Sequence, residues 1–315
     1  MDIVITGATG FLGRPLCAEL CTQGHSITAL SRDAVRAQAT LGPSVRCLAW
    51  AGQGDANPPW REAVAAAEVV IHLAGQSVAE KAWTPEIKAE LRRSRIETTR
   101  NLVDAIGAAE HRPSTLICAS GINYYGDRGD ELLTEESPPG ETFLSQLCVD
   151  WEAEAMKAEA LGLRVAVLRC GVVLEHGGPL DKMLYPLPLP VSPWALGLGG
   201  PLGSGRQWFP WIHLKDTVGM FTWAASEARV RGPVNTVAPG LIRNTEFAQA
   251  MGRVLHRPAI LPIPGFALKA IIGGFADELL TSQRAEPAVA KALGYSYQFP
   301  DIEAALTAIL SRPKR

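Results

Sequence analysis

Short runs of aliphatic, β-branched residues alternate with longer stretches in which apolar positions recur every three or four residues. Residues 2–6 place Ile3, Val4 and Ile5 in succession, a run that reads as a buried strand. Leu12, Leu16 and Leu20 then stand four apart on one helical face. Further strands are expected at residues 26–30, 45–49, 69–73, 115–119 and 164–169. Between them, residues 85–108 read as a long helix with Leu91, Thr98, Leu102 and Ile106 recurring, and residues 143–161 as a helix stopped by Gly162. Residues 127–136 are acidic and read as an exposed loop. Strand and helix in alternation predict an α/β fold, a Rossmann-type doubly wound parallel sheet.

The pattern changes at Gly171. Pro186, Pro188, Pro190 and Pro193, then Gly197, Gly199, Gly200, Gly203 and Gly205, work against long regular elements, while Trp194, Trp208, Phe209 and Trp211 are interleaved with them. Linkers rarely need tryptophan, so a packed, ligand-facing lobe is expected here. Residues 234–237 read as a late strand, and helices are expected at 245–255, 266–280, 286–293 and 301–310. The expected division is a nucleotide-binding domain over 1–170 and, over 171–315, a smaller α+β lobe partly interleaved with the sheet, ending in a helical tail.

Composition narrows the functional classes. A net charge of −2 over 315 residues, with no basic stripe, argues against nucleic acid as a main partner. Apolar stretches are broken by Pro, Gly or charge, and Met1 runs straight into a strand, so neither a membrane span nor a signal peptide is expected. Cys17, Cys21, Cys47, Cys118, Cys148 and Cys170 form no C-x-x-C pair, and the six histidines are scattered. Reduced thiols in a cytoplasmic protein with no metal site are the expectation.

Candidate chemistry begins at Gly7-Ala8-Thr9-Gly10-Phe11-Leu12-Gly13, directly after the first strand and before a helix. That context suits a dinucleotide: Gly7 permits the turn, Gly10 admits backbone to a pyrophosphate, Gly13 lets helix approach strand, and the helix N-terminus favours anions. The second strand ends in Ser31-Arg32 rather than Asp or Glu, which favours a ribose 2′-phosphate and hence NADP. Asp33, one residue on, is the counter-argument, and Arg32 could simply be a solvated side chain. Leu73-Ala74-Gly75 at the fourth strand end either passes close to a nucleotide or makes a plain turn. Ser120 and the tyrosines Tyr124 and Tyr125 follow the fifth strand, where open α/β sheets bind ligands. His213 and Lys215 lie beside Trp211, and a structural role is expected for His213.

The stretches ITGATGFLG, LSR at 30–32, HLAG at 72–75, SRIETT at 94–99, YYG at 124–126, WEAEA at 151–155, GGPLGSGRQWFPWIHLKD at 199–216 and LLTSQR at 279–284 together resemble extended short-chain dehydrogenases/reductases. The resemblance is closest to an atypical branch labelled "epimerase family protein", sometimes "cell division inhibitor". It implies NADP(H) contacts at Ser31, Arg32, Leu73, Ala74, Glu90, Arg95 and a backbone position near Val172. The parent superfamily uses a Y-x-x-x-K pair, yet none of the five tyrosines here has Lys four residues on. Aligning Glu152 with the superfamily's helix Glu puts Leu144 and Cys148 at those positions. Ser120 is then expected to orient a carbonyl, and Tyr125 or Tyr124 to donate the proton. The implied function is an NADP-dependent oxidoreductase or epimerase-like enzyme on an unknown small substrate; the alternative is a catalytically weak NADP(H)-binding sensor or scaffold.

Overall fold

A computed structural model describes residues 1–51, 59–185 and 192–311 of the chain. The first half runs β1 (Asp2–Thr6), α1 (Gly13–Thr22), β2 (Ser26–Ser31), α2 (Ala34–Leu41), β3 (Val45–Ala49), α3 (Pro59–Ala66), β4 (Val69–His72), α4 (Pro85–Ala108), β5 (Thr115–Gly121), β6 (Leu132–Leu133), α5 (Phe143–Met156) and β7 (Arg164–Cys170). The second half runs β8 (Val172–Leu174), α6 (Pro179–Leu184), β9 (Trp211–His213), α7 (Leu214–Ser226), β10 (Gly232–Thr236), α8 (Asn244–Leu255), α9 (Gly265–Ile272), α10 (Phe275–Leu279), β11 (Arg284–Ala285), α11 (Ala288–Ala292) and α12 (Ile302–Leu310).

Among the described residues, seven strands form one parallel sheet in the order β10-β7-β5-β4-β1-β2-β3. A parallel sheet is covered on both faces, which is why its strands read as unbroken apolar runs. On one face α1 and α7 bury Leu16, Leu20, Met220 and Phe221. On the other α3, α4 and α5 bury Trp60, Val64, Leu102, Ile106 and Trp151. Strand order reverses between β1 and β4, and the crevice outside the carboxyl ends of those strands is where this fold takes ligands.

The doubly wound sheet is as expected; several local readings need correction. Residues 127–136 are not simply an exposed loop, because β6 lies within them, paired in parallel with β11 of the tail, and buries Leu133 completely. The helix expected over 143–161 ends at Met156 and tightens into a 3₁₀ segment, Lys157–Leu161, before Gly162 stops it at φ +90°. The helix expected at 266–280 is divided at Gly273-Gly274 into α9 and α10. On α4 the buried threonine is Thr99, with Thr98 only half-buried. After Gly171, α7 is a regular thirteen-residue helix, because it starts beyond the last glycine of the run. Pro186, Pro188 and Pro190 lie outside the described residues.

Both β10 and α7 return to the main sheet, while Leu174, Trp194, Trp211, Phe247, Met251 and Leu306 make a separate core in the C-terminal lobe. The tail is fastened by buried carboxylates. Asp216 accepts from the Gln298 and Phe299 amides at 2.7 and 2.9 Å. Glu135 Oε1 accepts from Val289 N at 3.2 Å and Asn235 N at 3.0 Å.

Candidate active site at the sheet's carboxyl edge

The glycine turn is tight enough to exclude side chains. Gly7 has φ +69°, and a Cβ there would lie 2.8 Å from the Leu73 carbonyl carbon; one on Gly13 would lie 2.3 Å from Gly7 O. A Cβ on Gly10 would meet only Gly7 O, at 3.1 Å. Helix α1 begins at Gly13 with Leu12 as N-cap, no side-chain cap and no acidic residue in its first turn, which leaves amide donors for an anion. The Phe11 ring turns toward the lobe and packs on Gly178, where a Cβ would come within 2.3 Å of it.

At the end of β2, Asp33 Oδ1 accepts from Arg36 N at 2.9 Å and caps α2. The carboxylate that spoke against a 2′-phosphate is thus committed to a helix. Ser31 Oγ donates to Asp33 O at 3.2 Å, and Arg32 is exposed with no partner among the described residues. At the end of β4, Gly75 makes room for Arg95, whose guanidinium carbon would be 3.1 Å from a Cβ there. Arg95 donates to Gln76 O at 2.8 Å and lies 5.1 Å from the centroid of Trp151. Its neighbours face elsewhere: Arg93 pairs with Glu90, and Arg92 with Asp150. Val172 N donates to Pro210 O at 2.8 Å, joining the end of β7 to the 199–213 segment.

A neutral polar chain lies beneath this half. Ala74 N donates to Thr6 Oγ1 at 3.2 Å, and Thr6 Oγ1 lies 2.7 Å from His72 Nδ1. Thr99 Oγ1 gives its proton to Arg95 O at 2.6 Å and accepts from Trp151 Nε1 and His72 Nε2, both at 2.9 Å. Counting protons therefore assigns His72 the Nε2–H tautomer. Burial, with Arg95 nearby, lowers its pKa to about 3, keeping it uncharged.

Beneath the other half the network is charged. Arg169 is held by Glu152 of α5 through two contacts, Nε to Oε1 at 2.9 Å and Nη2 to Oε2 at 2.7 Å. Ser120 Oγ donates to the same Glu152 Oε1 at 2.6 Å, which commits the proton that a carbonyl-orienting serine would need. Tyr125 is fully buried; its hydroxyl donates to Asn235 Oδ1 at 2.7 Å and accepts from Arg169 Nη1 at 2.9 Å. Burial pushes that phenol up to about 12 despite the cation beside it. Tyr125 is thus buried with its hydroxyl committed on both sides, unlike the exposed proton donor expected of it.

Tyr124 differs. It is half-buried, the Arg169 guanidinium sits 3.4 Å from its ring centroid, and its hydroxyl takes no hydrogen bond among the described residues. It also has the cationic neighbour that the sequence did not reveal. Cys148 faces the end of β5, with Sγ 3.5 Å from where a Gly121 Cβ would stand, and burial pushes its thiol up to about 11. Leu144 packs with Leu91 and Leu147. Neither position offers an acid or a cation near neutral pH.

His213 Nδ1 accepts from Lys215 N at 3.0 Å, capping α7, and its ring stacks on Phe299 at 4.0 Å, which is a structural role. The 199–213 segment and the tail meet: Trp208 N donates to Ser282 Oγ at 3.1 Å, and Arg243 and Arg284 lie 4.4 and 4.8 Å from the Trp208 ring. Trp208 and Trp211, with Gln283 and Ala285, line a narrow cleft with about 10 Å³ of room, the space of one water. A separate surface hollow of about 470 Å³, between Arg253, His256 and Ile260, shares none of these residues. Sequence reasoning missed the Thr6–His72–Thr99 chain and Arg169. Arg169 ends an apolar strand and was legible as a charge that needs a partner.

The strand, glycine turn and helix, with a crevice at the sheet's switch point, define an NAD(P)-binding α/β protein. The profile of the NAD dependent epimerase/dehydratase family matches residues 3–237, and the chain belongs to that family. Residues 263–309 match a domain of unknown function, DUF1731. Within the family the chain is similar to epimerase family proteins of the SDR39U1 type. It is 37% identical to the chloroplastic SDR39U1 homolog of Arabidopsis thaliana, over 98% of this chain and 87% of that one. It is 36% identical to YfhF of Bacillus subtilis, over 100% and 99%. The crystal structure of human SDR39U1 (isoform 2) with NADPH superposes with a TM-score of 0.84 at 34% identity, covering 99% of this chain and 100% of that one.

Proposed function

We propose that the protein is an NADP(H)-dependent oxidoreductase or epimerase-like enzyme of the short-chain dehydrogenase/reductase type. Its small substrate, a carbonyl compound or alcohol, lies between the sheet edge and the 199–213 segment. The observation that carries this reading is Tyr124: of the three hydroxyls at the end of β5, its alone is uncommitted. The preference for NADP(H) rests on the unpaired Arg32, on Asp33 being used as a helix cap, and on the NADPH bound by the human relative.

The residues present fit the nucleotide. Gly7, Gly10, Phe11, Leu12 and Gly13 would hold the pyrophosphate through backbone amides, with Arg95 reaching from α4. Ser31 and Arg32 would take the 2′-phosphate, and Leu73, Ala74 and Gly75 the adenosine side. Glu90, which holds Arg93 on the same helix face, and backbone near Val172, whose N–H is bound to Pro210 O, would complete the contacts. The nicotinamide, when bound, exchanges hydride with the substrate carbon. The chain's own part is to place Tyr124 Oη as hydrogen-bond donor to the reacting oxygen, while Arg169 fixes its ring. Six unpaired cysteines fit a reducing cytoplasm.

Single-turnover oxidation of NADPH against a panel of quinones, aldehydes and ketones tests this. Slow turnover is expected, falling at least about tenfold in Tyr124→Phe; full activity in that variant overturns the role of Tyr124. A second reading, a catalytically weak NADP(H) sensor or scaffold, draws on the narrowness of the cleft beside Trp208. Absence of turnover with every substrate selects it.

A further inference from the structure

Arginines gather around Trp208, where the 199–213 segment meets the tail, and one of them has no anion to bind. Trp208 pairs with Arg243 across an isolated antiparallel bridge, and its indole Nε1 donates to Asp130 Oδ1 at 2.8 Å. Arg243 Nη2 donates to the same oxygen at 2.9 Å, while its Nη1 donates to the carbonyl of Arg206. Asp130 is thereby spent on Trp208 and Arg243, and these bonds hold its carboxyl below the usual range. Glu246 accepts from Arg243 N at 2.6 Å and so serves the start of α8.

Arg284 lies on the same ring, its Cζ 4.8 Å from the centroid. It is half-buried, and its Nε is buried without a partner. Among the described residues its guanidinium makes no hydrogen bond and no ion pair; Asp130 feels its charge without bonding it. The exposed side chain of Arg206 is likewise unpaired among the described residues. Charged donors held away from water are normally satisfied, and a group left open needs an explanation. An aromatic face holds a guanidinium while leaving its in-plane N–H groups free, and those form a fork that matches the oxygens of a carboxylate or a phosphate.

The place adjoins the proposed reaction site. Trp208 shares its cleft with Gln283 and Ala285, the residues on either side of Arg284. Ala285 belongs to one apolar cluster with Ile122, Leu133 and Val237, and Tyr124 packs against that cluster. Ser282 ties the tail to the loop that follows Tyr124: its N donates to Asp127 Oδ1 at 3.1 Å and its Oγ to Gly129 O at 2.6 Å.

Resting on the function proposed above, we propose that Arg284 binds an anionic group of the substrate, a carboxylate or a phosphate, beside the Trp208 cleft. Trp208 holds the guanidinium, Asp130 and Arg243 hold Trp208, and the substrate's carbonyl or alcohol end extends toward Tyr124. The anion supplies the partner that the folded chain lacks, so charge selects the substrate as well as shape.

Three aromatic aldehydes that differ only in their para group test this: a carboxylate, its methyl ester and a phosphate. In steady-state NADPH oxidation, KM for a charged aldehyde should be at least about tenfold below that for the ester, the gap narrowing as salt rises. Whichever anion gives the lower KM is the one the site takes. Arg284→Gln should raise KM for that aldehyde about tenfold, leaving kcat and the ester's constants unchanged, and Arg284→Lys should recover part of the loss. Equal KM for both charged aldehydes and the ester overturns the proposal, as does a preference for charge that survives Arg284→Gln. A second readout needs no turnover. In protein saturated with NADP⁺, the NMR signal of Arg284 Nε–H, assigned by its loss in Arg284→Gln, should shift saturably with benzoate or inorganic phosphate and not with benzamide. A signal that moves with neither anion overturns the proposal. A saturable shift without turnover of any aldehyde upholds the anion site and overturns the proposed function, whereas turnover indifferent to Arg284→Gln removes this site alone.

Discussion

Two buried polar networks run beneath the carboxyl edge of one sheet. Under the nucleotide side, Thr6, His72, Thr99 and Trp151 are joined without a formal charge, each proton having one destination. Under the proposed substrate side, Ser120, Glu152, Arg169 and Tyr125 enclose an ion pair. The neutral chain ends on main chain, at Ala74 N and Arg95 O, and so fixes the backbone that approaches a nucleotide. The charged one ends on a ring, the face of Tyr124, and so holds a side chain whose hydroxyl takes no hydrogen bond among the described residues. Backbone can be held by modest neutral bonds because the strands already constrain it. A free side chain at a loop needs a stiffer support, and a guanidinium anchored by a carboxylate supplies one.

The two networks should fail differently. Arg169→Met leaves Glu152 buried without its cation, and should cost about 3–5 kcal/mol in urea unfolding. Adding Glu152→Gln should recover a good part of that loss; a double variant as unstable as the single would show that packing, not charge, is what Arg169 supplies. Tyr125 and Arg169 themselves keep their protons across the neutral range, the first at about 12. For Arg169, burial pulls the pKa down, but the bonds and charge of Glu152 push it further up.

In the neutral chain, His72→Leu should cost about 1–3 kcal/mol at pH 7.5, the value of lost buried hydrogen bonds. It should also change the response to acid. His72 is depressed from 6.5 to about 3 in the folded chain. Below pH 6.5 the unfolded state binds a proton that the folded state refuses. Stability should therefore fall by about 1.4 kcal/mol per pH unit from 6.5 downward on account of this group. Glu135, Asp216 and Glu278, all raised by burial, contribute the opposite slope. The wild-type minus His72→Leu difference isolates the histidine, and a difference independent of pH between 7.5 and 5 would show that His72 is not buried in neutral form.

The smallest effect lies outside both networks. Arg32→Ala should leave stability unchanged, since the side chain is exposed and unpaired, and should remove about a tenfold preference for NADPH over NADH in a fluorescence titration. Equal affinity of the wild type for the two nucleotides would refute the reading of Arg32.

The nucleotide side was legible in the sequence because its signals are local. Ile3-Val4-Ile5, Gly7, Gly10 and Gly13 lie within a dozen residues and constrain one another sterically, and α4 starts where Thr84 and Pro85 announce it. Asp33 was ambiguous until its bond to Arg36 N showed that it caps α2. The substrate side depends on pairings across long sequence separations, such as Tyr125 with Asn235, Glu152 with Arg169, and Glu278 with Thr142. Nothing in Tyr124-Tyr125 says which ring is buried; that follows from the 3₁₀ turn Ile122–Tyr125, which sends one inward and the other toward Arg169. Likewise, the acidic run 127–136 gave no sign that Leu133 would be covered by a strand made 150 residues later.

That late strand has a consequence for biosynthesis. The pairing of β11 with β6, and the grip of Glu278 on the start of α5, require residues that leave the ribosome long after β5. At about 5–20 residues per second, the sheet edge waits roughly 7–30 s for its cover. Until then Leu133 and the apolar start of α5 lack the partners that cover them in the folded chain, even after β10 has completed the main sheet.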